Sequence, residues 1–182
     1  MNNIESHISI QYFQHSYAEF ILGSYNNALC LCDFRYRTMR NAVDRRVQQS
    51  LNANFVEQPS DVIEMTKVQL NDYFVGKRQN FNIPLITAGS DFQKTVWRAL
   101  QAIGYGTTVS YQQLAAAINN PDAVRAVGTA NGANALAIVI PCHRVIASDG
   151  TLGGYAGGLA LKKRLLSLEQ KAARYTTTPN KE

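Results

Sequence analysis

The chain has 182 residues, of which 46% are hydrophobic, so it can bury a core as one domain or as two small ones. No apolar run approaches the roughly 20 residues that cross a bilayer, and the first residues lack the basic start and apolar stretch of a signal peptide. Of the three cysteines, Cys30 and Cys32 stand too close for an ordinary disulfide, which argues against a disulfide framework. We therefore expect a cytoplasmic protein with no membrane partner.

The net charge of +5 comes from the second half of the chain. Residues 1–91 carry 8 Lys or Arg against 9 Asp or Glu, whereas residues 92–182 carry 10 against 4. A basic half favours an acidic partner, most simply nucleic acid, because neutralising phosphates releases their counterions. A basic surface that serves only solubility is the alternative.

Short β-prone segments come first along the chain and predict a meander or hairpin. They cover residues 8–10, 18–22 and 28–34, with turn signals at Gly23-Ser24 and Asn26-Asn27. Two helices are predicted next, over 38–51 and 60–74, the second capped by Ser60 and stopped at Gly76. The apolar side chains of that second helix are Val62, Met65, Leu70 and Phe74.

These elements predict a small α/β domain over residues 1–85, with a linker near 76–89 where Pro84 interrupts a stretch of little periodicity. Beyond it, Ser90 or Asp91 can cap a helix that is apolar on one face. The apolar residues are Phe92, Val96, Trp97, Leu100 and Ile103, so Trp97 is expected in a core.

Two shorter helices with the outline of a helix-turn-helix are predicted further on. Ser110 can cap the first, over 111–117, and Asn120 with Pro121 can open the second, which runs to Ala130. Many helical pairs in ordinary cores share this outline. The outline alone therefore leaves a core hairpin open as an alternative to DNA binding.

The second of these helices, over 123–131, is crowded with small side chains and holds a single arginine, Arg125. It lacks the several long polar side chains that read base edges in the major groove. Small residues instead allow close approach to a narrow groove, and one arginine can fill a gap in a base stack. The helix therefore predicts sequence-tolerant binding with extrusion of a base.

A thiol at the mouth of an apolar strand is the strongest chemical signal, in the pentad Pro141-Cys142-His143-Arg144-Val145. Neighbouring imidazole and guanidinium groups can ionise a cysteine, and the thiolate is the reactive form. Free cysteine is also among the most buried residue types, so simple packing of Cys142 is the alternative. The adjacency alone does not separate the two.

Six strings in register identify the chain as similar to the O6-alkylguanine-DNA alkyltransferases. They lie at 96–100 (VWRAL), 110–115 (SYQQLA), 125–128 (RAVG), Asn134, 140–145 (IPCHRV) and 153–159 (GGYAGGL). The resemblance covers about residues 90–170. It implies a ribonuclease-H-like α/β domain first and then a mostly α, winged-helix-like catalytic and DNA-binding domain with a helix-turn-helix over 90–172. Residues 173–182 are expected to form a flexible tail.

The resemblance implies the chemistry of the site. Cys142 attacks the alkyl carbon on guanine O6, with O4-alkylthymine left open, and becomes a thioether, so each molecule acts once without metal or cofactor. His143 accepts the thiol proton through a water, and Glu169, after a helix over 159–168, orients the imidazole. Asn134 braces the turn near the thiol. Without the resemblance, Glu169 would be a solvated carboxylate at a helix end.

The resemblance also implies how a monomer binds damaged double-stranded DNA through the minor groove with little sequence specificity. Arg125 enters the base stack while Tyr111 supplies a hydroxyl near guanine N3. The substrate pocket is expected to involve Tyr111, Val145, Tyr155, Ala156 and Gly157. Further DNA contacts are expected at Ser110, Gln112, Ala126, Thr129, Ala130 and Asn131. On spacing alone, Tyr111 could equally be a core aromatic and Arg125 a solvated side chain.

The chain departs from the family pattern at a few positions, and two other functional classes stay open as alternatives. Many relatives have Ser at the position of Ala156 and Pro at those of Ala135 and Ala137, so the pocket rim differs. A non-catalytic lesion reader and a cysteine hydrolase are the alternative classes. Cys30 and Cys32, expected on one face of a strand, are predicted to pack and not to bind zinc.

Overall fold

A computed structural model describes residues 6–176 of the chain, with side chains described up to residue 173. The elements are, in order, β1 (His7–Gln14), β2 (Glu19–Tyr25), β3 (Ala28–Phe34), α1 (Arg40–Leu51), β4 (Asn54–Glu57), α2 (Asp61–Phe74), α3 (Asp91–Gln101), β5 (Val109–Ser110), α4 (Tyr111–Ala117), α5 (Val124–Gly132), β6 (Val145–Ile146) and α6 (Leu159–Thr176). The first half is α/β and the second mostly helical, as predicted.

The N-terminal sheet is mixed, with strand order β3-β2-β1-β4. The predicted meander is confirmed, since β1, β2 and β3 pair antiparallel. The short strand β4 was not predicted, and it adds parallel to β1. Helix α2 packs against β1, β2 and β3, and α1 packs against β3. Both helices of the first half therefore pack against the sheet of the same half.

One of the two predicted turns in this sheet is wrong. Asn26 and Asn27 do make the β2–β3 turn, with φ of 48° and 59°, which suits a tight hairpin. Gly23 and Ser24 instead continue β2, and the register shifts there, so Cys30 in β3 is left without a partner. Because this bulge interrupts the alternation of faces, Cys30 packs on the α1 side and Cys32 in the main core, not together.

The cap predicted for the second helix of the first half is confirmed. The Ser60 side chain accepts a hydrogen bond from the Ile63 N–H and caps α2, which ends before Gly76, a residue at φ 75°. Met65 is 37% exposed, so it does not belong to the buried face. Helix α1 begins at Arg40, two residues later than predicted.

The segment predicted as a linker is packed against the sheet. The Leu29 N–H donates to the Pro84 carbonyl at 2.7 Å, and the Ile86 N–H donates to the Leu29 carbonyl at 2.9 Å. Ile83 and Ala88 are buried. The outer edge of β3 carries unpaired backbone groups that this segment satisfies. The two halves of the chain therefore share one main core instead of being joined by a free linker.

The predicted helix starts in the second half are confirmed with one exception. Ser90 and Ser110 each form a capping box with the glutamine three residues later, at the starts of α3 and α4. Asn120 makes no capping hydrogen bond through its side chain; a 3-10 turn over Pro121–Ala123 comes first, and α5 begins at Val124. Trp97 is buried, and its Nε1–H donates to the Ala130 carbonyl at 2.9 Å.

The apolar strand predicted before the thiol is not a strand. The Val139 N–H donates to the Ala137 carbonyl and the Cys142 N–H to the Ile140 carbonyl, at 2.9 and 2.8 Å, so two three-residue turns follow each other. Ile138, at the centre of the first, has φ of 71°, which is strained for a β-branched residue. Cys142–Arg144 form a 3-10 turn.

The last helix, α6, continues past the predicted end at residue 168 to Thr176. It therefore includes the first four residues of the predicted tail, and residues 177–182 of that tail lie outside the described residues. No helix in the described part of the chain is both long and apolar enough to cross a membrane. The extension places Glu169 inside a helix and not at its end.

We expect Gly23→Ala to destabilise the protein. An added Cβ would lie 2.9 Å from the Leu31 Cβ of the neighbouring strand, and overpacking of this kind costs about 1–3 kcal/mol. Gly132→Ala is the matched control, because a Cβ there meets nothing within 4 Å. Urea unfolding of both variants tests this, and equal stability of Gly23→Ala and the wild type would contradict it.

Candidate active site

A cavity of about 440 Å³ opens onto Cys142 and brings together residues from both halves of the chain. Of the predicted site residues, the cavity is lined by Tyr111, Asn131, Asn134, Cys142, Tyr155 and Ala156. Ala137, expected at the pocket rim, also lines the cavity, and Arg37, Gly128, Gly132 and Gly154 complete the lining without having been among the predicted site residues. Val145 is fully buried, and Gly157 packs tightly against Phe34 and Leu161, so neither of these two predicted residues lines the cavity.

The Cys142 thiol is held in its protonated form. Burial, with a smaller contribution from the charge of Asp33, raises its pKa to about 11, although a hydrogen bond from Asn134 and the charges of Lys162 and Arg37 lower it. The expectation that adjacent cationic groups ionise this thiol is therefore wrong. Reaction as a nucleophile requires a base that removes the proton.

Asn134 closes the turn that carries the thiol. Its Nδ2 donates to the Ile140 carbonyl at 2.9 Å, and its Oδ1 accepts from the Leu136 N–H at 2.9 Å. The side chain is 2% exposed. Both ends of the amide are thus bound to backbone on either side of Ile138, where the chain is strained.

Glu169 is the centre of the buried hydrogen-bond network beside the thiol. Its Oε1 accepts from the Tyr73 hydroxyl at 2.6 Å, from His143 Nε2 at 2.7 Å and from Arg144 at 3.0 Å. Its Oε2 accepts from Arg144 Nε at 2.9 Å and from the Gly106 N–H at 3.1 Å. Burial raises the pKa of Glu169, but His143 and Arg144 outweigh it and hold the pKa at about 2. The alternative of a solvated carboxylate is wrong.

His143 is fully buried and neutral at rest. Burial lowers its pKa, against the hydrogen bond and charge of Glu169, which raise it. We assign the ring proton to Nε2 because Nε2 faces a carboxylate. Nδ1 is then the acceptor, and it is buried without a hydrogen-bond partner among the described residues. A neutral imidazole with a free acceptor can take up a proton.

Arg144 faces away from the thiol. Besides its two hydrogen bonds to Glu169, its NH1 donates to the Ile103 carbonyl at 2.6 Å. The 3-10 turn sends the three side chains of Cys142–Arg144 in different directions, because successive residues of such a helix are about 120° apart. The guanidinium therefore compensates the buried carboxylate and does not act on Cys142 directly.

Lys162, on α6, is a fully buried cation that the sequence pattern did not single out. Its Nζ donates to the carbonyls of Val145, Leu152 and Gly154, which ties the loop at the cavity rim to the helix. Burial lowers its pKa to about 8, while the neighbouring Cys142 raises it. In the sequence, Lys162 stands beside Lys163 and Arg164, both exposed, so nothing distinguished it from a solvated lysine.

Tyr111 stands half-buried at the start of α4, between two glycines. A Cβ on Gly153 would lie 3.0 Å from the tyrosine hydroxyl oxygen, and a Cβ on Gly128 would lie 3.7 Å from its ring. Gly153 has φ of 66°, a conformation that favours glycine. The two glycines thus leave room for the ring of Tyr111, a residue that lines the cavity.

Two glycines of helix α5 face the cavity, whereas the arginine of this helix is exposed. Gly128 and Gly132 line the cavity, and Arg125 lies one turn before Gly128 on the exposed surface. Of the other residues predicted to contact DNA, Gln112, Ala126 and Thr129 are exposed and Ser110 is half-buried as a cap. Ala130 and Asn131 are buried, the former against Trp97 and the latter beside Cys142, so neither is on the outer surface.

Comparison with known proteins identifies the family to which this chain belongs. Residues 91–171 match the family model described as 6-O-methylguanine DNA methyltransferase, DNA binding domain. The chain is 50% identical over 125 residues to the methylated-DNA–protein-cysteine methyltransferase of Methanosarcina barkeri, covering 65% of the chain and 79% of that relative. The chain belongs to the methylated-DNA–protein-cysteine methyltransferase family.

Further members of the family are similar to this methyltransferase in sequence or in structure. The inducible relative from Bacillus subtilis is 48% identical over 120 residues, covering 66% of the chain and 67% of the relative. The crystal structure of Mycobacterium tuberculosis OGT in complex with DNA has a TM-score of 0.77 at 36% identity, covering 91% of this chain and 94% of that one. The O6-methylguanine-DNA methyltransferase of Pyrococcus kodakaraensis has a TM-score of 0.66 at 25% identity, covering 89% of this chain and 98% of that one. The enzyme thus repairs DNA by direct reversal, transferring an alkyl group to cysteine.

We expect the stability of this methyltransferase to depend on pH through Glu169. Its pKa is lowered from 4.5 to about 2 on folding, so its contribution is full above pH 4.5 and is lost as the pH falls toward 2. The loss amounts to about 3 kcal/mol.

Urea unfolding across this pH range should show the loss in the wild type. Glu169→Gln should be less stable at neutral pH, because Arg144 is left buried without a counterion, and its disadvantage should shrink as the pH falls. A constant difference between the two proteins across the range would contradict the prediction.

Proposed function

We propose that Cys142 is the alkyl acceptor and that the lesion is O6-alkylguanine in double-stranded DNA, with O4-alkylthymine as a second candidate substrate. The observation that carries this is the cavity of about 440 Å³ at Cys142, whose size suits a small-molecule or base-sized ligand. Cys30 and Cys32 are buried in the two cores, and neither lines this cavity.

In the proposed reaction, the thiol proton passes to His143 and the Cys142 sulfur attacks the alkyl carbon in line with its bond to O6. The carbon–oxygen bond breaks with its electron pair on O6. Guanine then takes up a proton from solvent as its normal form is restored, and the imidazolium of His143 releases the thiol proton to solvent. The product on the protein is a thioether. Because cellular thiols do not reduce a thioether, each molecule acts once.

The proton route is the part that the buried network supports. No hydrogen bond joins the Cys142 thiol directly to His143 among the described contacts, and Nδ1 is the imidazole's available acceptor. We place one bridging water between the two groups. Glu169 stays ionised because its pKa is about 2, so it stabilises the imidazolium that forms.

Access to the lesion requires base flipping, because the alkyl group on O6 lies inside a base pair. We place α5 in the minor groove, where its small residues allow close approach, with Arg125 filling the gap in the stack. Exposed Gln112, Ala126 and Thr129 contact the backbone nearby. Ser110 acts through the capping of α4, and the net positive charge of residues 92–182 supplies sequence-independent attraction.

Within the cavity, we assign the Tyr111 hydroxyl to guanine N3 and place the base between Tyr155 and the rim at Ala156. Burial raises the pKa of Tyr111, so its hydroxyl is a donor at neutral pH. Val145 and Gly157 do not line the cavity, and we assign them an indirect part, in which their backbone and packing support the residues that do.

We further propose a ribonuclease-H-like first domain, a winged helix-turn-helix built on α4 and α5, a monomer and a cytoplasmic location. The mixed order β3-β2-β1-β4 supports the first of these. The strand pair β5–β6 beside the two helices supports the second. A mechanism that consumes a free thiol suits a reducing compartment.

We expect the intact mass of the protein to rise by one methyl group after incubation with an O6-methylguanine duplex. The gain should be stoichiometric, located at Cys142 by peptide mapping, and absent in Cys142→Ala. Cys30→Ala is the matched control and should be methylated like the wild type. Duplex binding with an unchanged mass would instead indicate a lesion reader, and turnover of many substrates per molecule would indicate a hydrolase.

We expect Arg125→Ala to slow methyl transfer from the duplex by about tenfold or more, because flipping costs a few kcal/mol that this side chain offsets. Its effect on reaction with the free base O6-benzylguanine should be small. Arg45→Ala removes an exposed positive charge from α1 and serves as the control. Single-turnover rates test this, and equal slowing on both substrates would rule out the flipping role.

A further inference from the structure

One donor in the Glu169 network comes from the first half of the chain. Tyr73, on α2, is fully buried, and its hydroxyl donates to Glu169 Oε1 at 2.6 Å. The same hydroxyl oxygen lies 3.4 Å from His143 Nε2. Tyr73 does not line the cavity at Cys142.

The Tyr73 hydroxyl competes with the imidazole for one carboxylate oxygen. Oε1 of Glu169 also accepts from His143 at 2.7 Å and from Arg144 at 3.0 Å. Three donors share the negative charge of this one oxygen, so each donor weakens the hydrogen bonds that the other two make to it. The strength with which Glu169 favours a protonated His143 therefore depends on whether Tyr73 donates.

Packing alone does not account for a tyrosine at this position. Its ring lies edge-on to Phe74 and Tyr105 and tilted against Phe81, contacts that a phenylalanine would keep. A buried hydroxyl costs free energy unless it is hydrogen-bonded. Burial, followed by the charge of Glu169, raises the pKa of Tyr73, so the hydroxyl keeps its proton and remains a donor.

We propose that Tyr73 is a positioning residue for alkyl transfer: by binding Glu169 it holds the carboxylate against His143 and limits how firmly the imidazole keeps the proton taken from Cys142. This rests on the roles proposed above for Cys142 and His143. It also gives the first half of the chain an indirect part in the chemistry, because Tyr73 on α2 acts through Glu169 and His143.

Other charged and titratable groups around His143 set the background for this effect. Burial lowers the pKa of His143, Glu169 raises it, and Arg144 and Lys162 lower it. Tyr155 stands edge-on to the imidazole at 6.4 Å, and the Arg144 guanidinium lies over the Tyr105 ring. Removal of the Tyr73 hydroxyl leaves all of these groups in place and returns negative charge to Oε1. The protonated imidazole is then favoured.

The test is the pH dependence of single-turnover methyl transfer by the full chain carrying Tyr73→Phe. Transfer requires a neutral His143, so the rate rises with pH through the imidazole titration. The variant should shift this rise to higher pH, slowing transfer about threefold to tenfold on the acidic side and leaving the plateau within about twofold. The same shift should occur with free O6-benzylguanine, because DNA binding is not involved.

Tyr105→Phe is the matched control. It removes a neighbouring hydroxyl that has no hydrogen-bond partner among the described residues, so its pH profile should match the wild type. Tyr73→3-fluorotyrosine keeps the ring and strengthens the donor, so it should shift the rise to lower pH even if Tyr73→Phe folds poorly. Equal slowing at every pH, or profiles that do not move in either variant, would overturn the proposal. Failure of the wild type to gain a methyl group at Cys142 would overturn the proposed function instead.

Discussion

The buried carboxylate of Glu169 is the constraint on which the rest of this structure depends. An ionised group without access to water is costly unless charge and hydrogen bonds surround it. Glu169 stands on α6, and the compensation comes from Tyr73 on α2, from Gly106 in the loop after α3, and from His143 and Arg144 in the 3-10 turn at Cys142. Four separate parts of the chain must therefore dock correctly before the charge is satisfied, so the catalytic network is also a condition for the native packing.

The same burial decides how the thiol reacts. Taking Cys142 out of water raises its pKa to about 11 and keeps it protonated until a base acts. His143, whose pKa burial lowers, is neutral and available for that task. Electrostatic interactions among buried groups are stronger than in water, so the groups around Cys142 and His143 act on each other strongly.

The two halves of the chain act as one structure because the outer edge of β3 is shared. Residues 84–86 form backbone hydrogen bonds with Leu29 of β3. The segment before Cys142 bonds to the same edge, because the Cys32 N–H donates to the Ala135 carbonyl at 2.8 Å. Arg37 adds hydrogen bonds to the carbonyls of Gly132 and Asn134. The turn that presents Cys142 is thus built against the N-terminal sheet, which explains how a first half of low similarity to the family motifs can still influence the site.

Local signals in the sequence determined the capped helix starts at Ser60, Ser90 and Ser110, the meander, the family, and the set of chemical groups around Cys142, because capping, alternation and motif spacing depend on residues close along the chain. Only the tertiary structure decided the rest. The pairing of Glu169 with Arg144, the burial of Lys162, the donation from Tyr73 and the packed segment before α3 all join residues far apart in sequence. Nothing local distinguishes a buried charge from a solvated one, since its cost and its partners exist only after the core has formed.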